Sequence, residues 1–206
     1  MINKISIIGA GGHARSVINL LELNGFCIQG IYDDSYGKGK KEMISGYPLK
    51  GSLKSLPAAG SAGLVLAVGD NKKRCRLFGL FAGGIVKKNI IHPLAVVERH
   101  VLLGDSNLIF ANAYINSGAA IGDNNILNTS SIIEHEARIG SHNHISVGSV
   151  ICGRTGIGDR CFIGAGSVII DKIVICSDVT IGAGSVVVRD ITAAGTYAGN
   201  PAKRIK

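Results

Sequence analysis

Glu134-His135-Glu136 and His142-Asn143-His144 gather three of the chain's six histidines within ten residues, in a stretch otherwise aliphatic, small or turn-forming. A neutral imidazole accepts a proton near pH 7. A neighbouring carboxylate orients the ring and stabilises its cationic form, so these residues suit general base catalysis. In a straight strand His135 and Glu136 would point to opposite sides, whereas at a bend they could meet. Glu134 is the other carboxylate within reach, and the sequence does not choose between the two. Three histidines also invite a zinc reading. Spacings of seven and two put no histidine a whole repeat of eighteen from another, so no metal is expected. No cysteine has an adjacent base, and Cys152, next to Gly153, reads as a packing residue.

A second group of functional residue types lies near the start. Gly9-Ala10-Gly11-Gly12-His13-Ala14 satisfies G-x-G-x-x-A, and Asp33-Asp34 follows about twenty residues on, a pattern associated with dinucleotides. The flanking elements read as strand 4–9, helix 14–24 with Val17, Leu20, Leu21 and Leu23 inward, and strand 28–32. A polar, glycine-rich loop is expected over 34–50, then strand 64–68 and helix 72–81. That is a β-α-β…β-α unit, half of a dinucleotide-binding domain, so a mononucleotide is the better match than NAD. The Gly9–His13 loop, Asp33-Asp34 and Gly69 to Asn71 fall at the carboxyl ends of strands, where open parallel sheets bind ligands, and are expected to converge.

The element that must position the histidines is legible from its period. From Ile91 to Val187 an aliphatic residue occupies every sixth position without a break. Neither a helix nor an ordinary strand has that period; a β-solenoid of hexapeptides does. Two residues earlier comes a second inward position, usually small: Ala113, Ala119, Ser131, Ala137, Ser149, Thr155, Ser167, Ser185. Gly104, Gly122, Gly140 and Gly158, with Cys176 in the fifth place, add a period of eighteen, so three hexapeptides form one triangular coil. His135 and His144 avoid inward positions and are both expected to project near corners. The expected fold is a half-Rossmann α/β domain over residues 1–88 followed by a left-handed parallel β-helix over 89–206.

Composition narrows the partners. A chain of 206 residues with 29 glycines and no tryptophan suits a narrow, turn-rich solenoid core. No apolar run approaches the ~20 residues of a membrane span, and MINKISIIGAGGHARS is a strand and loop rather than a signal peptide. Five cysteines without a CxxC pair fit free thiols in a cytoplasmic protein. The net charge of +8 is scattered and lacks an aromatic–basic array, so nucleic acid is not expected. Lys203, Arg204 and Lys206 are candidate contacts for a small polyanion.

The stretches NTSSIIEHEARIGSHNHISVGSVICG, IIGAGGHARSV, AVGDNKKR and AGNPAKRIK together resemble the bacterial sugar acyltransferases of the hexapeptide-repeat superfamily, especially N-acetyltransferases acting on UDP-4-amino-sugars in bacillosamine-type pathways. The resemblance spans nearly the whole chain. It implies His135 as catalytic base, Glu136 as its acidic partner and Gly153, one coil on, as the backbone donor to the thioester carbonyl. It implies acetyl-CoA as co-substrate, with Gly153 at the thioester and His144 in contact with the acetyl donor or the sugar. The last coils and tail from Gly182 to Lys206 are expected to line the coenzyme A channel, where Lys203 or Arg204 would meet a phosphate. Around the nucleotide-sugar the resemblance implies His13, Asp33, Asp34 and Asn128, which join Gly11, Gly12, Gly69 and Asn71 of the two glycine loops expected at the strand ends. It implies a homotrimer with acetyl-CoA held between neighbouring prisms. An O-acetyltransferase acting on a sialic acid, an N-acetyltransferase acting on a GDP-4-amino-sugar, and a catalytically silent nucleotide-sugar-binding scaffold are the competing readings.

Overall fold

The computed structural model describes residues 4–35, 42–56 and 62–206. The chain divides into two compact units, Met1–Ile90 and Ile91–Lys206.

The first unit is an α/β layer structure. Its elements are β1 (Lys4–Ile8), α1 (Gly12–Leu23), β2 (Cys27–Tyr32), β3 (Met43–Ile44), β4 (Tyr47–Gly51), β5 (Gly63–Leu66) and α2 (Asn71–Leu80). The sheet order is β3-β4-β2-β1-β5. β1 lies between β2 and β5, parallel to both, with Ile5, Ser6, Ile7 and Ile8 all buried, as a central strand covered on both faces requires. Ala14, Val17, Ile18 and Leu21 form the i, i+3, i+4, i+7 stripe that α1 buries. Leu23, expected to face inward, is exposed, because it lies off that stripe.

Part of the expected 34–50 loop is regular structure. β3 and β4 pair antiparallel, Met43 opposite Pro48 and Ile44 opposite Tyr47. Ser45 and Gly46 between them both take positive φ, 46° and 85°, as a two-residue hairpin loop demands. β4 then extends the sheet parallel to β2, with Ile31 opposite Leu49. Residues 36–41 of that stretch lie outside the described residues.

The second unit is a parallel β-helix of hexapeptides, left-handed as the repeat implies. Mostly two-residue strands stack into three sheets of six, five and eight strands, with successive coils offset by eighteen residues, as in Tyr114 to Ile132 to Val150. The eight-stranded sheet ends in the longer strands Val179–Ile181 and Gly195–Ala198 and the antiparallel Lys203–Arg204. The sixth-position aliphatics from Ile109 to Val187 and the small residues two places before them form one continuous core. Ile91, Val97 and Leu103, in the first coil, are only partly buried against it.

Corners repeat with the same offset. His100, Gly118, Glu136, Arg154 and Lys172 form one column of positive φ; Ser106, Asn124, His142, Arg160 and Asp178 form a second. The Gly104–Gly122–Gly140–Gly158 column has a steric cause. A Cβ on Gly140 would stand 2.8 Å from the carbonyl oxygen of Gly158 and against the Asp159 carboxylate, which accepts a hydrogen bond from Ser141 N–H. Asn107, Asn125 and Asn143 form a buried ladder inside the coil. Asn125 N–H donates to Asn107 Oδ1 at 2.8 Å, Asn143 N–H to Asn125 Oδ1 at 2.7 Å, and Cys161 N–H to Asn143 Oδ1 at 2.6 Å.

Candidate active site

The corner after the strand Ile132–Ile133 carries the histidine–carboxylate pair. Glu136 takes φ of 58°, and this left-handed step turns the chain so that neighbouring side chains point the same way. His135 Nδ1 lies 3.3 Å from Glu136 Oε2. With Nδ1–H donating to that carboxylate, Nε2 carries the lone pair. Both side chains are about half exposed, at 47% and 63%, so the ring is accessible to a ligand.

Glu134 is placed elsewhere. Its Oε2 accepts from Asn116 Nδ2 at 2.7 Å and from the His135 backbone N–H at 3.3 Å, so it braces the corner from the preceding coil. The structure therefore resolves the choice of ring partner in favour of Glu136.

Gly153 lies one coil beyond His135 in the same column. A Cβ there would stand 2.7 Å from both Cε1 and Nε2 of His135 and 3.1 Å from Asp171 Oδ1. Absence of a side chain at 153 thus creates the notch that the imidazole occupies. Arg154 N–H donates to the His135 carbonyl at 2.9 Å, locking the two coils together, and Arg154 also grips Asp171 at 3.1 and 3.3 Å. Cys152 is half-buried; burial, then the Asp171 and Glu134 charges, push its thiol up from the ordinary value, the opposite of an activated nucleophile.

His144 departs from its expected place. It lies on the strand His144–Ile145 rather than at a corner, and its outward side chain is buried, edge-on to Phe162 with ring centroids 5.1 Å apart. Asn128 Nδ2 is 3.2 Å from His144 Nε2. This pair belongs to a different sheet of the coil from the one that leads into His135. Gly182 has a packing cause: a Cβ would stand 2.9 Å from that of Ala198 in the strand Gly195–Ala198, laid against it. That strand pairs antiparallel with Lys203–Arg204. Arg204 donates to the carbonyls of Ala194 and Lys206, while Lys203 is exposed.

In the α/β unit, the expected residues gather at the carboxyl ends of β1, β2 and β5. Gly9 takes φ of 111°, and a Cβ would stand 2.6 Å from the Ala67 carbonyl oxygen, so the two loops touch through backbone. Asp33 is buried and grips the first loop, accepting from Ala10 N–H at 2.8 Å and Ser35 N–H at 2.9 Å. Partial burial acts to raise its pKa, but those hydrogen bonds and the Lys73 charge outweigh it and hold the carboxyl below its ordinary value. Asp34 accepts from Leu53 N–H at 2.9 Å. A cleft lined by Gly9, Asp33, Asp34, Val68 and Lys73, among others, opens there. Gly11 and Gly12 leave open space at the N-terminus of α1, whose first turn holds no acidic residue. His13 is pushed down to about 4 by burial and then by the Arg74 charge, so its ring is neutral at pH 7.

Lys73 and Arg74 are additions that the residue pattern did not single out. Arg74 is almost wholly buried. The available signal was the i, i+3, i+6 spacing of Asn71, Arg74 and Leu77, the three buried residues of an otherwise polar helix. Among the described residues no cluster of three or more His, Cys, Asp or Glu suits a metal ion, and no helix is long and apolar enough to cross a membrane.

A hexapeptide β-helix with a histidine–carboxylate corner, preceded by an α/β unit with a glycine loop, defines an acyltransferase of the hexapeptide-repeat class. Residues 4–80 match the PglD N-terminal domain family, and residues 154–189 match the bacterial transferase hexapeptide (six repeats). Perosamine N-acetyltransferase from Caulobacter crescentus, solved with CoA and GDP-perosamine, is 34% identical over 98% of this chain and 97% of its own, with a TM-score of 0.92. The acetyltransferase domain of PglB from Neisseria gonorrhoeae, solved with acetyl coenzyme A, is 32% identical over 100% of both chains, with a TM-score of 0.88. A curated relative, the uncharacterized protein L142 of Acanthamoeba polyphaga mimivirus, is 31% identical over 105 residues, which span 51% of this chain and only 21% of that protein. The chain belongs to the bacterial hexapeptide-repeat sugar N-acetyltransferases.

Proposed function

We propose that the protein transfers the acetyl group of acetyl-CoA to the 4-amino group of a UDP-linked amino-sugar. The observation that carries this reading is the accessible His135–Glu136 pair seated over the Gly153 notch. His135 Nε2 takes the proton of the attacking amine, and Glu136 at Nδ1 stabilises the imidazolium that forms. The Gly153 backbone N–H donates to the oxyanion as the thioester carbonyl becomes tetrahedral. Collapse then breaks the C–S bond, and the departing CoA thiolate takes the proton held by His135. Amine and thioester meet directly, with no acyl-enzyme, in keeping with the depressed acidity of the Cys152 thiol.

The nucleotide binds the α/β unit at the Gly9–His13 loop, Asp33-Asp34 and the Gly69–Asn71 loop. Asp33 acts there chiefly through the backbone it holds. Asn128 and His144 occupy a different sheet from the one leading to His135, so a site completed by a neighbouring copy accounts for both sets, and a cytoplasmic homotrimer is the assembly we infer. His144, Gly182, Lys203 and Arg204 are assigned to the acetyl-CoA channel of that assembly. A GDP-4-amino-sugar is the second reading, favoured by the GDP-perosamine bound in the Caulobacter relative.

Thiol release from acetyl-CoA, measured in parallel with a UDP-4-amino-sugar, a GDP-4-amino-sugar and a sialic acid, tests the proposal. Turnover with the UDP-linked amine supports it, and turnover only with the GDP-linked amine moves it to the second reading. Turnover with the sialic acid alone, or with none of the three, overturns it.

A further inference from the structure

Arg74 is a charge that the transfer chemistry leaves without a task. It sits on α2, 1% exposed, and its guanidinium donates to Val68 O at 3.1 Å, Gly69 O at 3.2 Å and Asn71 Oδ1 at 2.8 Å. Burial pushes its pKa down to about 10, countered by the Asp70 charge, so it stays a cation at pH 7. A buried cation is expensive, and holding two backbone carbonyls in place does not by itself require one.

What Arg74 holds is specific. Val68 lines the cleft, and a Cβ on Gly9 would stand 3.0 Å from Val68 Cγ2 and 2.6 Å from Ala67 O. The first glycine loop therefore lies close against the segment that the guanidinium grips. Asp33 holds the same loop through Ala10 N–H. The positive charge also reaches His13, at the N-terminus of α1. Brace and charge thus act on one place, the seat of the loop where an anionic group would meet backbone N–H groups.

We infer that Arg74 is a positioning residue for the diphosphate of the nucleotide-sugar: it fixes the seat of the glycine loop through Val68 and Gly69 and supplies buried positive charge near it. This rests on the reading that the α/β unit binds a nucleotide.

The test uses full-length Arg74→Gln and Arg74→Lys, compared with the wild type in the thiol-release assay and in stabilisation by UDP and by GDP. Wild type must first turn over a nucleotide-sugar and be stabilised by its nucleotide; if it does neither, the nucleotide reading fails, and this inference with it. With wild type active, Arg74→Gln is expected to raise KM for the nucleotide-sugar about tenfold. Its kcat and its KM for acetyl-CoA should stay within about threefold, and nucleotide-induced stabilisation should be lost. Arg74→Lys, which keeps the charge and loses the fork, is expected to recover part of that KM. An unchanged nucleotide-sugar KM in a folded variant overturns the inference. So does an equal loss towards both substrates, which is the mark of a merely structural role. Should Arg74→Gln not fold, Arg74→Lys decides alone: a KM raised only for the nucleotide-sugar supports the inference, and an unaltered one overturns it.

Discussion

The two units place their candidate functional groups in opposite ways. In the solenoid, the sixth-position aliphatics make the core while His135 and Glu136 stand outside it on a corner, about half exposed. In the α/β unit the groups around the cleft are themselves part of the interior: Asp33 and Arg74 are buried, and their hydrogen bonds shape the loops. A repeating scaffold separates stability from chemistry, because inward and outward positions alternate on a fixed period. An open sheet that makes its site from loops at strand ends merges the two, because the residues that present a ligand also close the fold.

The separation in the solenoid can be broken most sharply at His135. His135→Ala is expected to lower thiol release by about a thousandfold, the scale of a lost general base, with the melting temperature essentially unchanged. A parallel loss of melting temperature would show that the corner is structural after all. The converse is Ile121→Ala, deep in the core. It should cost roughly 3 to 4 kcal/mol of stability in urea titrations followed by circular dichroism, while the folded protein keeps its kcat within about twofold.

Gly153→Ala sharpens the comparison, since it alters a corner without touching the core. The new Cβ must displace the imidazole, which would lie 2.7 Å away. A displacement of about 1 Å is expected to reduce kcat by roughly a hundredfold, at little cost to stability. Steady-state kinetics with both substrates, alongside a thermal melt, read out the two effects.

The smallest effect tests the merged character of the α/β unit. His13 has its pKa lowered to about 4 from 6.5. Between those values the unfolded chain binds more protons than the folded one, so stability rises with pH across the window. The contribution is complete above about 6.5 and fades as pH falls towards 4, with a magnitude on the order of 3 kcal/mol over the whole window, of which roughly 2 kcal/mol falls between about pH 7 and pH 5. Replacing the ring in His13→Asn should flatten that slope, seen by comparing urea midpoints at pH 7 and pH 5. An identical slope in the variant would remove His13 from the account.

How far each region was legible follows from the same contrast. A period of six, unbroken from Ile91 to Val187, names the solenoid, its core and its outward positions before any coordinate is known. The bend at Glu136 follows the period, since positive φ recurs three residues after the sixth-position aliphatics, as at Asn112, Ser130 and Glu136. Which of two flanking carboxylates the ring then meets is a matter of side-chain geometry that spacing does not encode. His144 directly precedes Ile145 and so falls on a strand, as Ile132 and Val150 do, a placement that the period does carry; its burial against Phe162 is what spacing does not show. In the α/β unit, Pro48 and two glycines disguised β4 as loop, although Ser45-Gly46 between apolar neighbours carried the hairpin signal. Arg74 was obscured by the polar composition of its helix. A buried guanidinium satisfied by carbonyls is a three-dimensional arrangement with only a weak trace in the pattern of residue types.

The offset of eighteen residues between paired strands also fixes which insertions and deletions the solenoid tolerates. Adding or removing one complete coil lengthens or shortens the stack while every later side chain keeps its sheet and its corner. A gain or loss of six preserves the inward pattern and so folds as well locally, yet it turns everything after it by one face. Placed between His135 and Gly153, such a change would leave the histidine without its notch. Placed before His135, it would carry the whole corner to another edge of the prism. Chain-length variation among functioning relatives of this β-helix should therefore come in whole coils outside the span from His135 to Gly153, and lengths that differ by one or two hexapeptides before His135 should mark proteins that have moved the site.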